Sequence, residues 1–439
     1  MNSTDFKSDF FASAHSKCSL WHMAAAIWDT HVFIVLLVTV GFLLAAYYWF
    51  VPPQSASRLR MPDAPCAIAC GTGGYEVLRS VECASTRGAP AAFNGVRDDE
   101  LVTVLVTAAG VNYADVCIRW GLYASWKKFG GGRRSSAEGD AADVPGFEFS
   151  GIVEEVGGAV VDFKVGDAVF GVTLFGGYST RIVVPGHALF ALPRRLTLSQ
   201  AAAFPCTALT AWYAVCQQAE PIAAASWVLI HSAAGGVGSM LVQICKLKGW
   251  SVVGVVGKPH KIQACRDFGA DIVIDKHGKS TANMWAEIDA YCPDGFAAVF
   301  DANGVSTLAG SFARLAPCGK LIVYGFHSML PRSGGVLTAA HWLGMAWDWL
   351  RTPRFNPLDM TAANKSVLAF NLSFLFARRD ILEDAMGTLL GWLDEGALRV
   401  PHVREFQLAE VRMAHAALES GLTVGKLVLL PTPCPAVTR

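Results

Sequence analysis

The hydrophobic positions of this chain change character twice. From Val32 to Val51 there are 20 residues without a formal charge. At 1.5 Å per residue they make about 30 Å of helix, enough to cross a bilayer core. Tyr47, Tyr48 and Trp49 lie near its end, where aromatic rings suit the membrane interface, and Pro52 and Pro53 stop it. From about residue 75 the apolar runs become short and β-branched. They predict strands at 75–82 and at 100–109 (ELVTVLVTAA), then in FEFSGIVEEVG and DAVFGVTL, as in an irregular β domain. Between these, residues 124–144 are rich in Gly, Ser and charge and predict an exposed loop. From about residue 199 apolar strands alternate with helical stretches, the mark of a parallel α/β sheet covered on both faces.

Composition refines this picture. A chain of 439 residues that is 53% hydrophobic can fill two or three cores. Lys+Arg and Asp+Glu both number 36, which argues against a broad nucleic-acid surface. Twelve cysteines are scattered without a CxxC pair, the pattern of free thiols in a reducing compartment. The apolar run fits a cleaved signal peptide poorly, because about 30 residues precede it and its core exceeds a usual h-region. It predicts a single-pass anchor. Arg58 and Arg60, just after the span, favour a cytosolic body.

The chemistry-bearing motif lies in VLIHSAAGGVGSM (228–240). A strand is predicted at Trp227–His231 and a helix from Gly238 to about Lys248. Between them runs Ala233-x-Gly235-Gly236-Val237-Gly238, a variant of the dinucleotide fingerprint. Gly235 lets backbone approach a pyrophosphate, Gly238 permits close helix–strand packing, and the helix N-terminus favours phosphate. A second strand is predicted at 251–256. NAD-preferring sites place an acid at its end; this chain reads Val255-Val256-Gly257-Lys258, with His260 and Lys261 following. Cations without an acid point to NADPH, with Lys258 and Lys261 as candidates for the 2′-phosphate; either is equally readable as a solvated helix start.

The chain resembles the medium-chain dehydrogenase/reductase superfamily, in its zinc-free quinone oxidoreductase branch, and is especially similar there to the vesicle amine transport protein family. The matching pieces are AAGVNYADVCIRWGLY (108–123), PGFEFSGIVEEVG (145–157), VGDAVFG (165–171), HSAAGGVG (231–238), GKLIVYG (319–325), NKSVLAFNLSFLF (364–376) and GLTVGKLVLL (421–430). The resemblance implies a GroES-like, β-rich substrate domain, an inserted Rossmann NADPH-binding domain, and a cleft between them. The expected organisation is a tail at 1–31, an anchor at 32–51 and a linker at 52–74. The substrate domain follows at 75–198, the nucleotide domain at 199–372, the return to the substrate domain at 373–430, and a tail at 431–439. The resemblance also suggests a homodimer.

Zinc-dependent relatives place a Cys ligand where this chain has Asn112, and a His-Glu pair where it has Phe147 and Glu148; an amide and a phenyl ring do not replace those ligands, so no metal is expected. Asn112 can donate an amide N–H to a carbonyl acceptor. The resemblance puts Tyr123 in the cleft, as an acceptor contact or as ordinary packing. It puts Thr210 beside the nicotinamide, with Asn303 opposite. Lys426 is similar to a recurring family lysine, or is a surface charge before the terminal strand. His231 reads as structural. Residues 337–350, with three tryptophans, His341 and Asp348, are expected to pack internally; a subunit or membrane contact is the alternative. The expected function is membrane-anchored, zinc-independent, NADPH-dependent reduction of a lipophilic quinone or conjugated carbonyl. Enoyl-thioester reduction and low-turnover lipid handling are the alternatives.

Overall fold

The computed structural model describes residues 56–61, 66–82, 95–129, 144–330, 339–376 and 378–431. The expected anchor at 32–51 and most of the expected loop at 124–144 lie outside the described residues. The described residues divide into a larger compact unit, within 54–335 and 351–439, and a smaller one within 336–350.

In the larger unit, the second half of the chain builds a six-stranded sheet. Its order is Ile272–Asp275, Ser251–Val256, Trp227–His231, Phe296–Asp301, Leu315–Val323 and Ser366–Ala369. Every neighbouring pair is parallel. Numbered along the chain this is the order 3-2-1-4-5-6 of a doubly wound nucleotide fold, whose ligand crevice opens where the order reverses. The strands are continuous apolar runs because both faces are covered: Val228, Leu229 and Ile230 are fully buried, as are Val252 and Val253. Each such side chain contributes about 1.5–3 kcal/mol when taken from water. The strands Trp227–His231 and Ser251–Val256 fall where the apolar runs predict them.

The first half and the chain's end share a seven-stranded sheet, ordered Val403–Gln407, Lys426–Leu430, Leu101–Val111, Glu148–Val156, Ala168–Val172 and Leu189–Ala191, with Arg181–Pro185 also on Leu101–Val111. The terminal strand pairs antiparallel with Leu101–Val111, setting Leu427 opposite Val111. This pairing carries Lys426 to the edge of the nucleotide fold.

Two sequence expectations need correction. The segment expected as linker, 52–74, contains the strand Cys66–Cys70, paired antiparallel with Leu78–Glu82. Its flanking Pro and Gly mimic a linker, but Cys66, Ala67, Ile68 and Cys70 are buried in the core. The tryptophan-rich segment is internal only in part, the Trp342 indole nitrogen being buried. It forms the helix Ala339–Arg351, in which Leu343, Trp347, Trp349 and Leu350 are each more than half exposed. The spacing of Leu343, Trp347 and Leu350 brings them onto one helix face.

Candidate active site

The nucleotide corner begins where the strand Trp227–His231 ends. Ser232 takes a left-handed backbone conformation (φ 55°), and the chain turns through Ala233 and Ala234 into the helix Gly236–Leu247. Gly235 is the N-cap residue and has no side chain to cap the helix. The first-turn N–H groups of Gly236, Val237 and Gly238 thus have no intrahelical acceptor and form a phosphate-binding end. A Cβ on Gly238 would lie 2.3 Å from the Ser232 carbonyl oxygen, and one on Gly236 would lie 2.9 Å from Thr207 Cγ2. Ala233 is fully buried beneath the turn, its N–H donating to Val255 O at 3.1 Å. These contacts fit a cradle that receives a dinucleotide pyrophosphate.

At the end of the strand Ser251–Val256, Lys258 caps the short turn Pro259–Lys261 and is half-buried. Lys261 is buried, and its Nζ donates to Thr423 O at 2.7 Å. Burial, reinforced by the nearby Lys276 charge, brings its ammonium down to about 8. Lys276 escaped the sequence reading. It directly follows the neighbouring parallel strand, its N–H donates to Val256 O at 3.0 Å, and its Cε lies 3.8 Å from a Cβ placed on Gly257. A cation one residue beyond the adjacent strand was the signal that could have found it.

At the other end of the site, Lys426 is buried and makes an ion pair with Glu148, 2.6 Å apart. Its Nζ also donates to Val111 O at 2.9 Å and to Asn112 Oδ1 at 2.5 Å. Asn112 Nδ2 donates to Glu148 Oε1 at 2.9 Å, and the Cys206 N–H to Glu148 Oε2 at 2.8 Å. An ammonium has three N–H groups, so Lys426 is fully committed and fixes which way the Asn112 amide faces. An amide nitrogen has two N–H groups; Glu148 takes one, and the second has no hydrogen-bond partner among the described residues. This donor set does not fit a zinc ion, because an ammonium fills the place beside the carboxylate and Phe147 offers only a ring. Among the described residues no group of three or more His, Cys, Asp or Glu side chains could hold a metal.

Asp115 organises this corner. Its Oδ2 accepts the Asn112 N–H at 2.8 Å and the Tyr178 hydroxyl at 2.9 Å, while Oδ1 accepts the Gly146 N–H at 2.9 Å. Full burial nevertheless raises its carboxyl to about 7. Tyr123 lies edge-on to Phe147, with ring centroids 5.7 Å apart. Its hydroxyl donates to Asn371 Oδ1 at 3.0 Å and shares a 2.7 Å hydrogen bond with Ser373 Oγ. Burial pushes the phenol up to about 12. Asn371 and Ser373 lie in a quoted family segment, but nothing in their local pattern marks them as the tyrosine's partners.

Thr210 Oγ1 donates to Cys206 O at 2.6 Å within its own helix. Asn303 is buried; its Oδ1 accepts the Ser232 hydroxyl at 3.0 Å, and its Nδ2 has no hydrogen-bond partner. A buried, unspent amide donor beside the phosphate turn fits a ligand group. Asp301 holds Asn303 in place by accepting its backbone N–H at 2.8 Å. The same carboxylate accepts from Ser311 Oγ at 2.9 Å, and Ser311 meets His231 Nε2 at 3.0 Å. His231 is fully buried against Trp285, and burial lowers its basicity. That is a structural histidine.

Two family models match the chain. The alcohol dehydrogenase GroES-like domain covers residues 98–194, and the zinc-binding dehydrogenase model covers 268–429. Quinone oxidoreductase of Pseudomonas aeruginosa is 31% identical over 333 residues, which cover 75% of this chain and 91% of that one. The chain belongs to the medium-chain dehydrogenase/reductase superfamily. The synaptic vesicle membrane protein VAT-1 homolog of Homo sapiens is 28% identical over 369 residues, 84% of this chain and 86% of that one. Among solved structures, Escherichia coli quinone oxidoreductase complexed with NADPH has a TM-score of 0.66 and 26% identity, covering 84% of this chain and 100% of that one. As a medium-chain dehydrogenase/reductase the chain is an oxidoreductase. The cluster of Asn112, Glu148 and Lys426 fits the superfamily's zinc-free branch, whatever the second model's description says of zinc.

Proposed function

We propose that this protein is a membrane-anchored reductase that uses NADPH to reduce a quinone or another conjugated carbonyl without zinc. NADPH dependence agrees with the solved quinone oxidoreductase that carries this cofactor. It also agrees with the basic corner of Lys258, Lys261 and Lys276 at the second strand's end. NADPH, when bound, supplies a hydride from its nicotinamide C4 to the electrophilic acceptor and is left oxidised. The glycine turn and the helix Gly236–Leu247 hold its pyrophosphate, and Asn303 and Thr210 flank the nicotinamide end.

The observation that carries the acceptor reading is the Asn112 amide, fixed by Lys426 and Glu148 so that one N–H remains to polarise a carbonyl oxygen. A quinone needs only that mild polarisation. Tyr123, across Phe147, donates a hydrogen bond or a proton to the same ligand once it leaves Asn371. An enoyl thioester would demand that proton transfer. The charge-free span Val32–Val51 supports the anchor and a lipophilic acceptor drawn from the bilayer; the superfamily resemblance supports a homodimer.

The test is loss of reduced-nicotinamide absorbance by the detergent-solubilised full chain, against a panel of quinones, conjugated carbonyls and enoyl thioesters, with NADH in parallel. Turnover of quinones with NADPH is the expected result. Tight NADPH binding with no turnover on any class would favour lipid handling by a nucleotide-binding protein instead.

A further inference from the structure

The segment leading into the terminal strand touches all three parts of the site in five consecutive residues. At its start, His260 Nε2 meets Leu422 O at 2.9 Å, and Lys261 Nζ donates to Thr423 O at 2.7 Å. In its middle, Gly425 pairs with Gly235 of the phosphate turn, the Gly425 N–H donating to Ala234 O at 3.0 Å. At its end stands Lys426, the lysine that orients Asn112. Gly425 is pinned. Its φ is 71°, a Cβ there would sit 2.2 Å from His402 O, and the next N–H donates to that same oxygen at 2.9 Å. Residues 422–424 therefore form a short strap, latched by His260 and Lys261 at one end and fixed by Gly425 at the other.

A neutral backbone carbonyl is a modest partner for a buried ammonium; a phosphate dianion is a far stronger one. We propose that the Thr423 carbonyl is an internal placeholder for the cofactor's 2′-phosphate on Lys261, so that NADP(H) unlatches the strap leading to Lys426 while NAD(H) leaves it latched. Lys261 is then both a cofactor contact and the latch of the strap that ends at the pinned Gly425. The cofactor's phosphate draws the Lys261 ammonium away from an existing hydrogen bond, so the preference is felt in the strap as well as at the ribose. This inference rests on the NADPH reading and adds to it where the preference is felt.

Amide hydrogen exchange of the full chain in detergent tests it, with the free protein compared to samples saturated with NADP⁺ or NAD⁺. With NADP⁺, amides of residues 422–424 should exchange about tenfold faster relative to the NAD⁺ sample, the loss of roughly one charge-assisted hydrogen bond. Lys261→Met should show the fast strap with no cofactor at all, while amides of the six-stranded sheet stay protected. Lys261→Arg should restore both latching and the cofactor difference. Preferential NADP⁺ binding with unchanged exchange at 422–424 overturns the placeholder and leaves the cofactor reading standing. Equal affinity for the two nucleotides overturns the cofactor reading, and the placeholder with it.

Discussion

Two side chains near the acceptor cluster are held in protonation states that burial dictates, and each makes a separate prediction. The Tyr123 phenol, pushed up to about 12, keeps its proton throughout the neutral range. Tyr123→Phe should lower kcat about a hundredfold for an acceptor that takes a proton from it, the usual range for a general acid. It should cost only about 1 kcal/mol of stability, the worth of a lost hydrogen bond to Asn371 or Ser373. The rate should show no basic limb from this group near neutrality; an unchanged kcat on every acceptor would reduce Tyr123 to packing. Asp115 differs, because its effect is on folding. Its carboxyl is raised from 3.8 to about 7, so between those values the folded chain binds a proton that the unfolded chain has lost. Stability from this group is full below the unfolded pKa and is lost as pH rises through the folded one. Urea unfolding of wild type against Asp115→Asn, from pH 4 to 8, should show the wild type losing relative stability up to about pH 7 and levelling beyond it. At this scale the sequence was informative about identity and silent about partnership. It singled out Asn112, Tyr123 and Lys426, but the tyrosine's partners lie 248 and 250 residues away. Glu148 was noted only as the survivor of a lost zinc pair, and its role as counter-ion appears only when the terminal strand folds back.

At the scale of the element, the strand–turn–helix corner is where local pattern and tertiary geometry agree most closely. Gly238 earns its place by contact: a Cβ would lie 2.3 Å from the Ser232 carbonyl oxygen, which is backbone and has no rotamer to escape into. Gly238→Ala should therefore lower stability by about 1–3 kcal/mol, the usual cost of overpacking. It should also weaken NADP⁺ binding by displacing the first turn of the helix, read as a lower Tm and a smaller Tm rise on adding nucleotide. Gly235→Ala should cost less stability, since its added Cβ meets only the Ser232 carbonyl oxygen at 3.3 Å, while still crowding the pyrophosphate. This corner was legible because a buried parallel strand is a continuous apolar run and a glycine triplet has few other uses at its end. The strand Cys66–Cys70 was not, because it is short and flanked by Pro and Gly. Its burial comes from pairing with Leu78–Glu82 and from the Tyr178 carbonyl, which accepts the Ile68 N–H at 2.9 Å. The helix Ala339–Arg351 misled in the opposite direction. Three tryptophans imply a core, yet its spacing turns apolar side chains outward.

At the scale of the whole molecule, a nucleotide fold and a β domain share one site because the chain's last strand returns to the first sheet. Lys426 heads that strand, so the acceptor cluster forms only when both halves are in place. Membrane attachment is a separate property. Among the described residues no helix is long and apolar enough to cross a membrane. The proposed tether then rests on Val32–Val51 alone, about 30 Å of helix if continuous. Two consequences separate it from the body's chemistry. The full chain should stay with membranes through an alkaline carbonate wash, and removal of residues 32–51 should release it while NADP⁺ affinity stays within about twofold, as for independent sites. A tag at the chain's end should be open to protease in sealed vesicles if the body faces the cytosol, as Arg58 and Arg60 favour. Retention of the truncated chain on washed membranes would move the attachment to another element, and the exposed face of Leu343, Trp347 and Leu350 would be the first to substitute.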